Sequence, residues 1–345
     1  MKVLIYTDSF SLPIDEGRRK TVNQLIKTFS KKEQVMAICN NGDKVPDYVK
    51  QVKTNRFLIS HKIKKEIDVF KPDLLIYFPT SSATIYSLMR TVILKKYAKD
   101  AKVVTISHSG VNFSKIHQAF LNLISSLPYR FLLLTPSPEL RDKLYKYGFE
   151  VQLVPFGVDI NKFKPVNNES KLRLRDKYGL DNEAFIVAHV GHLNKRRNLG
   201  VFKEIQMIED VTVLIVTSES IEKDQKILKE LKDTGVKLIT TYVECIEEIY
   251  QLSDCYVFRG GAISTPLSVF EAMACNLPII TNRFGILPVL FKDKKDFIYC
   301  ESDECVIGAV IKIKQSKKEI DTRSLILPYS WDNFVEGIYG TSERL

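Results

Sequence analysis

Long apolar runs are missing from this 345-residue chain. No stretch approaches the roughly 18–20 apolar residues that a bilayer-crossing helix needs. The opening MKVLIYTDSF has too short an apolar part for a signal peptide and reads as a first strand. Cysteine is sparse and irregular: Cys39, Cys245, Cys255, Cys275, Cys300 and Cys305 form no Cys-x-x-Cys and have no histidine nearby. That pattern excludes a familiar zinc motif and predicts reduced thiols in a cytoplasmic protein. A G-x-G-x-x-G fingerprint is absent, so nothing supports a dinucleotide cofactor. There is no internal repeat and no low-complexity tract.

What is present is a chain with 45% hydrophobic and 27% charged residues, enough for a large core and two ordinary domains. The net charge of +10 is uneven. Residues 1–165 carry 27 Lys+Arg against 14 Asp+Glu, and the remainder 24 against 27. A basic first half draws anionic partners, among them lipid surfaces and acidic substrates. It lacks basic motifs interleaved with aromatics, so no nucleic-acid partner is expected. Short apolar strands alternate with helical periods throughout, which predicts an α/β protein of two doubly wound Rossmann-like domains facing a cleft. The polar stretch 166–182, read as a linker plus a short helix, sets the boundary: residues 1–165, then 166–329. A closing helix over 330–340, with Trp331, Phe334, Val335 and Ile338 on its apolar face, is expected to return to the first domain. A helix over 113–126 has Ile116, Phe120, Leu123 and Ile124 on one side; that stripe reads as core, with a membrane surface as the alternative.

The segment Asp254–Gly285 concentrates the chemistry. It reads as a strand at Cys255–Phe258, a turn at Gly260 and Gly261, a helix over Leu267–Ala274 opened by Pro266, and a strand at Pro278–Thr281. In parallel sheets ligands sit beyond the carboxyl ends of the strands. A helix start there offers free N–H groups and positive potential to a phosphate, and Glu271 accepts hydrogen bonds from sugar hydroxyls. Lys195, Arg196 and Arg197 follow a strand that ends in Gly191, and such adjacent cations suit a diphosphate. His108 follows another strand end in the first half and is placed to meet a sugar hydroxyl.

These segments together resemble the family 4 (group 1) glycosyltransferases of GT-B fold. PSPELRDKLYKYG…VQLVPFGVDINKFKP is similar to the family's interdomain segment, with Phe156 in place of the usual Asn. VAHVGHLNKRRN resembles G-R-L-x-x-x-K-G: Gly191 and Leu193 match, His192 stands for Arg and Arg197 for Lys. SDCYVF, STPLSVFEAMACNLPII and SWDNFVEGIY resemble the segments that follow. The resemblance implies retaining transfer of a sugar from a nucleotide-diphosphate donor to a glycan or lipid-linked acceptor, with no metal and no further cofactor. It implies that Glu271 holds the donor ribose. Ser264, Thr265, Pro266, Leu267 and Ser268 would lie along the diphosphate, with amides from Pro266 to Ser268 meeting it. Arg197 would neutralise leaving-group charge, with Lys195 or Arg196 as substitutes. Gly17 matches the glycine of the acceptor-side loop and His108 the strand-end histidine near the transferred sugar. A cytoplasmic enzyme at the inner face of a membrane follows.

The chain departs from the family pattern at several points. The first acid of E-x7-E is Ile263, the glycine before Leu267 is Pro266, and P-S becomes Arg259-Gly260. Pro288 lies where another acid is usual. Ser264, Thr265 or Arg259 are the residues available to take over contacts. The alternative reading is a non-catalytic nucleotide- or glycan-binding relative.

Overall fold

Two all-parallel sheets organise the chain, each fed by helices that carry it from one strand to the next. The computed structural model describes residues 1–54, 61–80, 83–108, 114–219, 222–261, 265–293, 296–316 and 319–342. It divides into two units, Met1–Phe156 with Trp331–Leu345, and Gly157–Ser330.

The first unit runs β1 (Lys2–Ser9), α1 (Gly17–Phe29), β2 (Gln34–Asn41), β3 (Val49–Gln51), α2 (His61–Phe70), β4 (Leu74–Phe78), α3 (Ile85–Tyr97), β5 (Lys102–Ile106), α4 (Lys115–Ser125), β6 (Leu132–Thr135), α5 (Pro138–Tyr145) and β7 (Val151–Leu153). Its strand order is β3-β2-β1-β4-β5-β6-β7. Val3, Leu4, Ile5 and Tyr6 are all buried, so β1 is covered on both faces, as parallel strands are. The direction of travel reverses between β1 and β4. Right-handed crossovers therefore put α1 on one face and α3 to α5 on the other.

The second unit runs α6 (Asn168–Tyr178), β8 (Phe185–Val190), α7 (Val201–Gln206), β9 (Val211–Val216), α8 (Gln225–Asp233), β10 (Lys237–Ile239), α9 (Glu247–Gln251), β11 (Cys255–Phe258), α10 (Leu267–Ala274), β12 (Ile279–Thr281), α11 (Leu287–Leu290), β13 (Phe297–Tyr299), α12 (Asp303–Gln315) and α13 (Arg323–Ile326). The order β10-β9-β8-β11-β12-β13 places its reversal between β8 and β11. In such sheets the reversal opens a crevice at the strands' carboxyl ends. The last helix, α14 (Trp331–Ser342), belongs to the first unit and packs on α1. Phe29 meets Tyr339 edge to face, and Lys31 and Lys32 pair with Asp332 and Glu336. Phe156 and Trp331, where the chain leaves and re-enters the first unit, stack at 6.4 Å.

Several local readings change. Helix α1 starts at Gly17, the residue expected in the acceptor-side loop, because the Glu16 carboxylate accepts Arg19 N–H and caps it. Gly17 is therefore a first-turn helix residue. The polar 166–182 segment is a three-turn helix closed by Gly179 in a left-handed conformation. Its Arg175 is buried, and four groups take up its N–H donors: Leu252, Asn182 and Ala184 carbonyls and the Asp254 carboxylate. Helix α4 turns Leu121 and Ile124 inward and leaves Phe120 46% and Leu123 57% exposed, so two of the residues read as core face outward; the Ile116 side chain lies outside the described set. Strand β13 and the long helix α12 had not been read at all. Ser302 caps α12 by accepting Cys305 N–H, which draws Cys305 back to within 5.3 Å Cα–Cα of Cys300. These two cysteines are bonded to each other, against the expectation that all six are thiols; Cys39, Cys245, Cys255 and Cys275 are free.

Arg175 ties α6 to the strand that leads into the site. Removing it leaves the Leu252, Asn182 and Ala184 carbonyls short of a donor, while Asp254 keeps Lys171 and the Ile186 N–H. Arg175→Ala should lower the stability of the second unit by about 2 kcal/mol, read as a shifted denaturant midpoint; a change below about 0.5 kcal/mol, the scale of ordinary surface substitutions, would show that α6 is held by other means.

Candidate functional site

The residues picked out in the second half gather at the carboxyl ends of β8 and β11, the reversal point of their sheet. After β8 the chain makes a tight turn. Asn194 Oδ1 accepts Arg196 N–H at 3.1 Å, and Lys195–Arg197 form a single 3-10 turn closed by Asn198 in a left-handed conformation. This geometry sorts the three cations. Lys195 and Arg196 are exposed, whereas Arg197 turns inward. Its Cζ lies 4.7 Å from the ring centroid of Phe258, the last residue of β11. Burial lowers the guanidinium pKa, yet arginine remains charged at neutral pH. Its buried Nη1 has no hydrogen-bond partner among the described residues.

Beneath Phe258 is a column of rings. His189 stacks on Phe258 at 5.6 Å and is nearly parallel to Tyr256 at 6.5 Å, with Phe202 at 5.1 Å. His189 Nδ1 is 3.0 Å from the Val257 carbonyl. A carbonyl only accepts, so the imidazole carries its proton on Nδ1. Full burial first, then the Arg197 and His192 charges, push the His189 pKa down to about 3. Gly191 fits above this histidine because it lacks a side chain: a Cβ there would come within 2.8 Å of His189 Nε2.

Helix α10 starts at the end of β11. Pro266 occupies its cap position with no side-chain cap bond, so the first-turn amides, Leu267 and Ser268 among them, have no helical acceptor. Thr265 Oγ1 is buried beside them with no partner among the described residues. Ser268 bonds through its side chain to Tyr256, whose hydroxyl also donates to Val190 carbonyl at 3.1 Å. Tyr256 thus links the α10 start to the β8 end, and it senses the charges of both Glu271 and Arg197. Glu271 is buried at 5% exposure and its Oε2 accepts the Tyr250 hydroxyl at 2.6 Å. Ser264 and Ile263 lie outside the described residues.

Arg259 is not free to replace a lost contact. Its guanidinium donates to the Cys300 carbonyl at 2.7 Å, the Glu301 carbonyl and the Asp303 carboxylate, and so anchors β11 to the start of α12. Asn282 holds both backbone groups of Gly260. These bonds fix the backbone at Arg259 and Gly260, where the chain leaves β11.

In the first unit, Gly17 and His108 stand at the carboxyl ends of β1 and β5. His108 meets Phe156 at 4.6 Å and Phe78 at 5.2 Å, both edge to face. Burial lowers its pKa to about 4, against an opposing pull from Glu16; Arg18 adds to the lowering. Its Nε2 has no partner among the described residues. The sequence reading missed Asp8, at the end of β1, which pairs with Arg90 at 2.6 Å and accepts the Tyr77 hydroxyl. An acid at the end of the first parallel strand was the available signal. Tyr250, Tyr256 and Phe258 were also missed, since buried aromatics in strand and helix periods look like core.

Among the described residues, no three His, Cys, Asp or Glu side chains converge as a metal ion requires, and no helix is long and apolar enough to cross a membrane.

Protonating His189 must break its burial, which sets a pH dependence. The unfolded chain takes up a proton below about pH 6.5 and the folded chain only near pH 3, so stability is full above pH 7 and falls as pH drops through that window. At pH 5 the loss from this residue is about 2 kcal/mol. His189→Phe should be less stable at pH 7 but lose about 2 kcal/mol less than the parent between pH 7 and pH 5, measured by urea unfolding. Equal losses would place the acid-sensitive group elsewhere.

Residues 170–338 match the family model described as "Glycosyl transferases group 1". The chain is 22% identical over 227 residues to "Alpha-monoglucosyldiacylglycerol synthase" of Acholeplasma laidlawii, covering 61% of this chain and 56% of that one. It is 26% identical over 187 residues to "UDP-Gal:alpha-D-GlcNAc-diphosphoundecaprenol alpha-1,3-galactosyltransferase" of Escherichia coli, covering 51% and 48%. The chain thus spans about half the length of these curated relatives. The structure of Anabaena Alr3699/HepE in complex with UDP is similar with a TM-score of 0.77 at 17% identity, covering 100% of both chains, a likeness of fold. Two Rossmann-like α/β units of this kind are those of GT-B proteins. The segment that matches the group 1 glycosyltransferase model, residues 170–338, contains the whole β8–β11 site.

Proposed function

We propose that the protein is a retaining, metal-independent glycosyltransferase that moves a sugar from a nucleotide-diphosphate donor to a glycan or lipid-linked acceptor. The observation that carries this reading is Arg197. A guanidinium whose buried Nη1 has no partner among the described residues, at the same sheet end as a helix start without a side-chain cap bond, suits an anion. Breaking the bond from a sugar to a diphosphate puts negative charge on phosphate oxygens. Arg197 and the Leu267 and Ser268 amides stabilise that charge without having to reorganise. Glu271 takes the ribose hydroxyls, and Thr265 Oγ1 is an unengaged partner for a phosphate oxygen. Lys195 and Arg196, exposed on the turn, draw the donor in rather than touch it. On the first unit, Gly17 and His108 serve the acceptor and the transferred sugar. A histidine kept neutral by its aromatic neighbours accepts or donates one hydrogen bond without bringing a competing charge.

The acceptor side of the reading rests on charge and on relatives named as diacylglycerol and diphosphoundecaprenol glycosyltransferases. From residue 74 to 138 the chain has seven Lys+Arg and one acid, Asp100. This stretch includes α3 and α4, where Phe120 and Leu123 are exposed. An apolar outer face on a helix without acids suits the anionic inner surface of a membrane. The protein then works from the cytoplasmic side.

The second reading, a non-catalytic nucleotide-binding relative, is favoured by Ile263 in place of an acid and by the commitment of Arg259 to α12. Turnover separates the two. Purified protein should hydrolyse or transfer from at least one of a panel of nucleotide sugars, and Arg197→Ala should lower kcat by roughly 100- to 1,000-fold while keeping its fold. Nucleotide binding without turnover on any donor supports the second reading. Full activity of the variant removes Arg197 from the chemistry. In flotation at low salt, the protein should rise with vesicles rich in anionic lipid and not with neutral ones, and Phe120→Ser with Leu123→Ser should stay at the bottom. No recruitment by anionic vesicles overturns the membrane contact.

A further inference from the structure

Glu271 is an unusual binding group, because its carboxylate is almost fully buried and already engaged. The engaging group comes from another element. Tyr250, on α9, is fully buried, with Phe163 edge to face at 5.8 Å and Tyr256 tilted at 5.6 Å. Its hydroxyl lies 2.6 Å from Glu271 Oε2. A carboxylate only accepts, so the phenol donates. Burial and the nearby carboxylate push the Tyr250 pKa well above its ordinary value, so the phenol remains a donor at every working pH. Glutamate has three rotatable bonds and loses substantial rotamer freedom when fixed. A side chain this mobile needs an external clamp to present one oxygen in a constant direction.

We propose that Tyr250 is a positioning residue for nucleotide recognition: by holding Oε2 of Glu271, it directs the rest of the carboxylate at the ribose hydroxyls and so sets the protein's preference for a ribonucleotide. This rests on the reading of Glu271 as the ribose contact. Tyr250 touches no substrate; it acts through Glu271. The bond joins α9 to α10, so the clamp also fixes the carboxylate relative to the amides that open α10. A merely structural hydrogen bond satisfies a buried carboxylate and has no preference among nucleotides. A clamp makes the response depend on the sugar of the nucleotide.

The test measures Kd by calorimetry for UDP and for 2′,3′-dideoxy-UDP, with GDP and ADP as parallel arms to select the base. The parent protein should prefer the ribonucleotide. Tyr250→Phe keeps the ring and should weaken ribonucleotide binding about tenfold while changing the dideoxy form less than twofold. Glu271→Asp breaks the same bond from the other side, leaves the Tyr250 ring in place and should lose the same preference, which covers the case in which Tyr250→Phe fails to fold. If Glu271→Gln binds the ribonucleotide as the parent does, the ribose reading of Glu271 fails. If Glu271→Gln is weakened but Tyr250→Phe is not, the clamp is overturned while the ribose contact stands. Equal weakening of both nucleotide forms by Tyr250→Phe reduces the bond to packing and overturns the clamp. A parent that binds none of UDP, GDP or ADP removes both.

Discussion

A half-buried cation, one of whose nitrogens is buried with no hydrogen-bond partner among the described residues, is the constraint on which the site of the second unit is built. Leaving a buried donor unsatisfied costs roughly 1–3 kcal/mol, and more where the group is charged. Arg197 is kept in that state by three features that are not themselves polar contacts. The 3-10 turn fixes its backbone, the Phe258 ring lies beneath it, and the His189–Tyr256 stack supports that ring. The ring face offsets part of the desolvation through its negative quadrupole. It does so without occupying the N–H groups, so the guanidinium stays available to an anion. A carboxylate in the same place would have given a more stable protein with a closed site.

The same logic explains why His189 is neutral. A second positive charge under Arg197 would repel it across the Phe258 ring. Full burial keeps the imidazole neutral, outweighing the Val257 carbonyl, whose bond to Nδ1–H favours the charged form. Gly191 completes the arrangement, since any side chain would strike Nε2. A glycine at the end of β8 is therefore a packing requirement of the histidine beneath it as much as a means of approach for a ligand.

Much of this was legible in the chain. The alternation of short β-branched strands with helical periods announced two doubly wound parallel sheets, and Pro266 with the glycines before it marked the helix start. What resisted reading has a common cause. Helix α6 is too polar to show a periodic apolar face, since its one strongly buried side chain is an arginine, Arg175. Phe120 and Leu123 fit a helical stripe with Ile124, yet the true inward pair is Leu121 and Ile124, about one residue around the helix. Periodicity gives a face only to within one neighbour, and only tertiary packing says which side is covered. Lys195, Arg196 and Arg197 look equivalent in sequence; a single turn of 3-10 helix separates the inward cation from the exposed ones. Tyr250 was invisible for the opposite reason, because a buried aromatic in a helix reads as core until its hydroxyl is seen to meet a carboxylate.

The departures from the family pattern can then be weighed one by one. Arg259 stands where a small pair is usual, but its bonds run to Cys300, Glu301 and Asp303, so it replaces a loop contact with an anchor between β11 and α12. Asn282 grips Gly260 from the neighbouring strand end. Both residues fix the backbone that leaves β11. Thr265 Oγ1 and Arg197 Nη1 are buried polar atoms with no hydrogen-bond partner among the described residues. A relative drifting away from ligand binding has no reason to keep buried unpaired donors, because each costs stability and substitution would relieve it readily. The presence of both groups at one sheet end favours a site that still takes an anion.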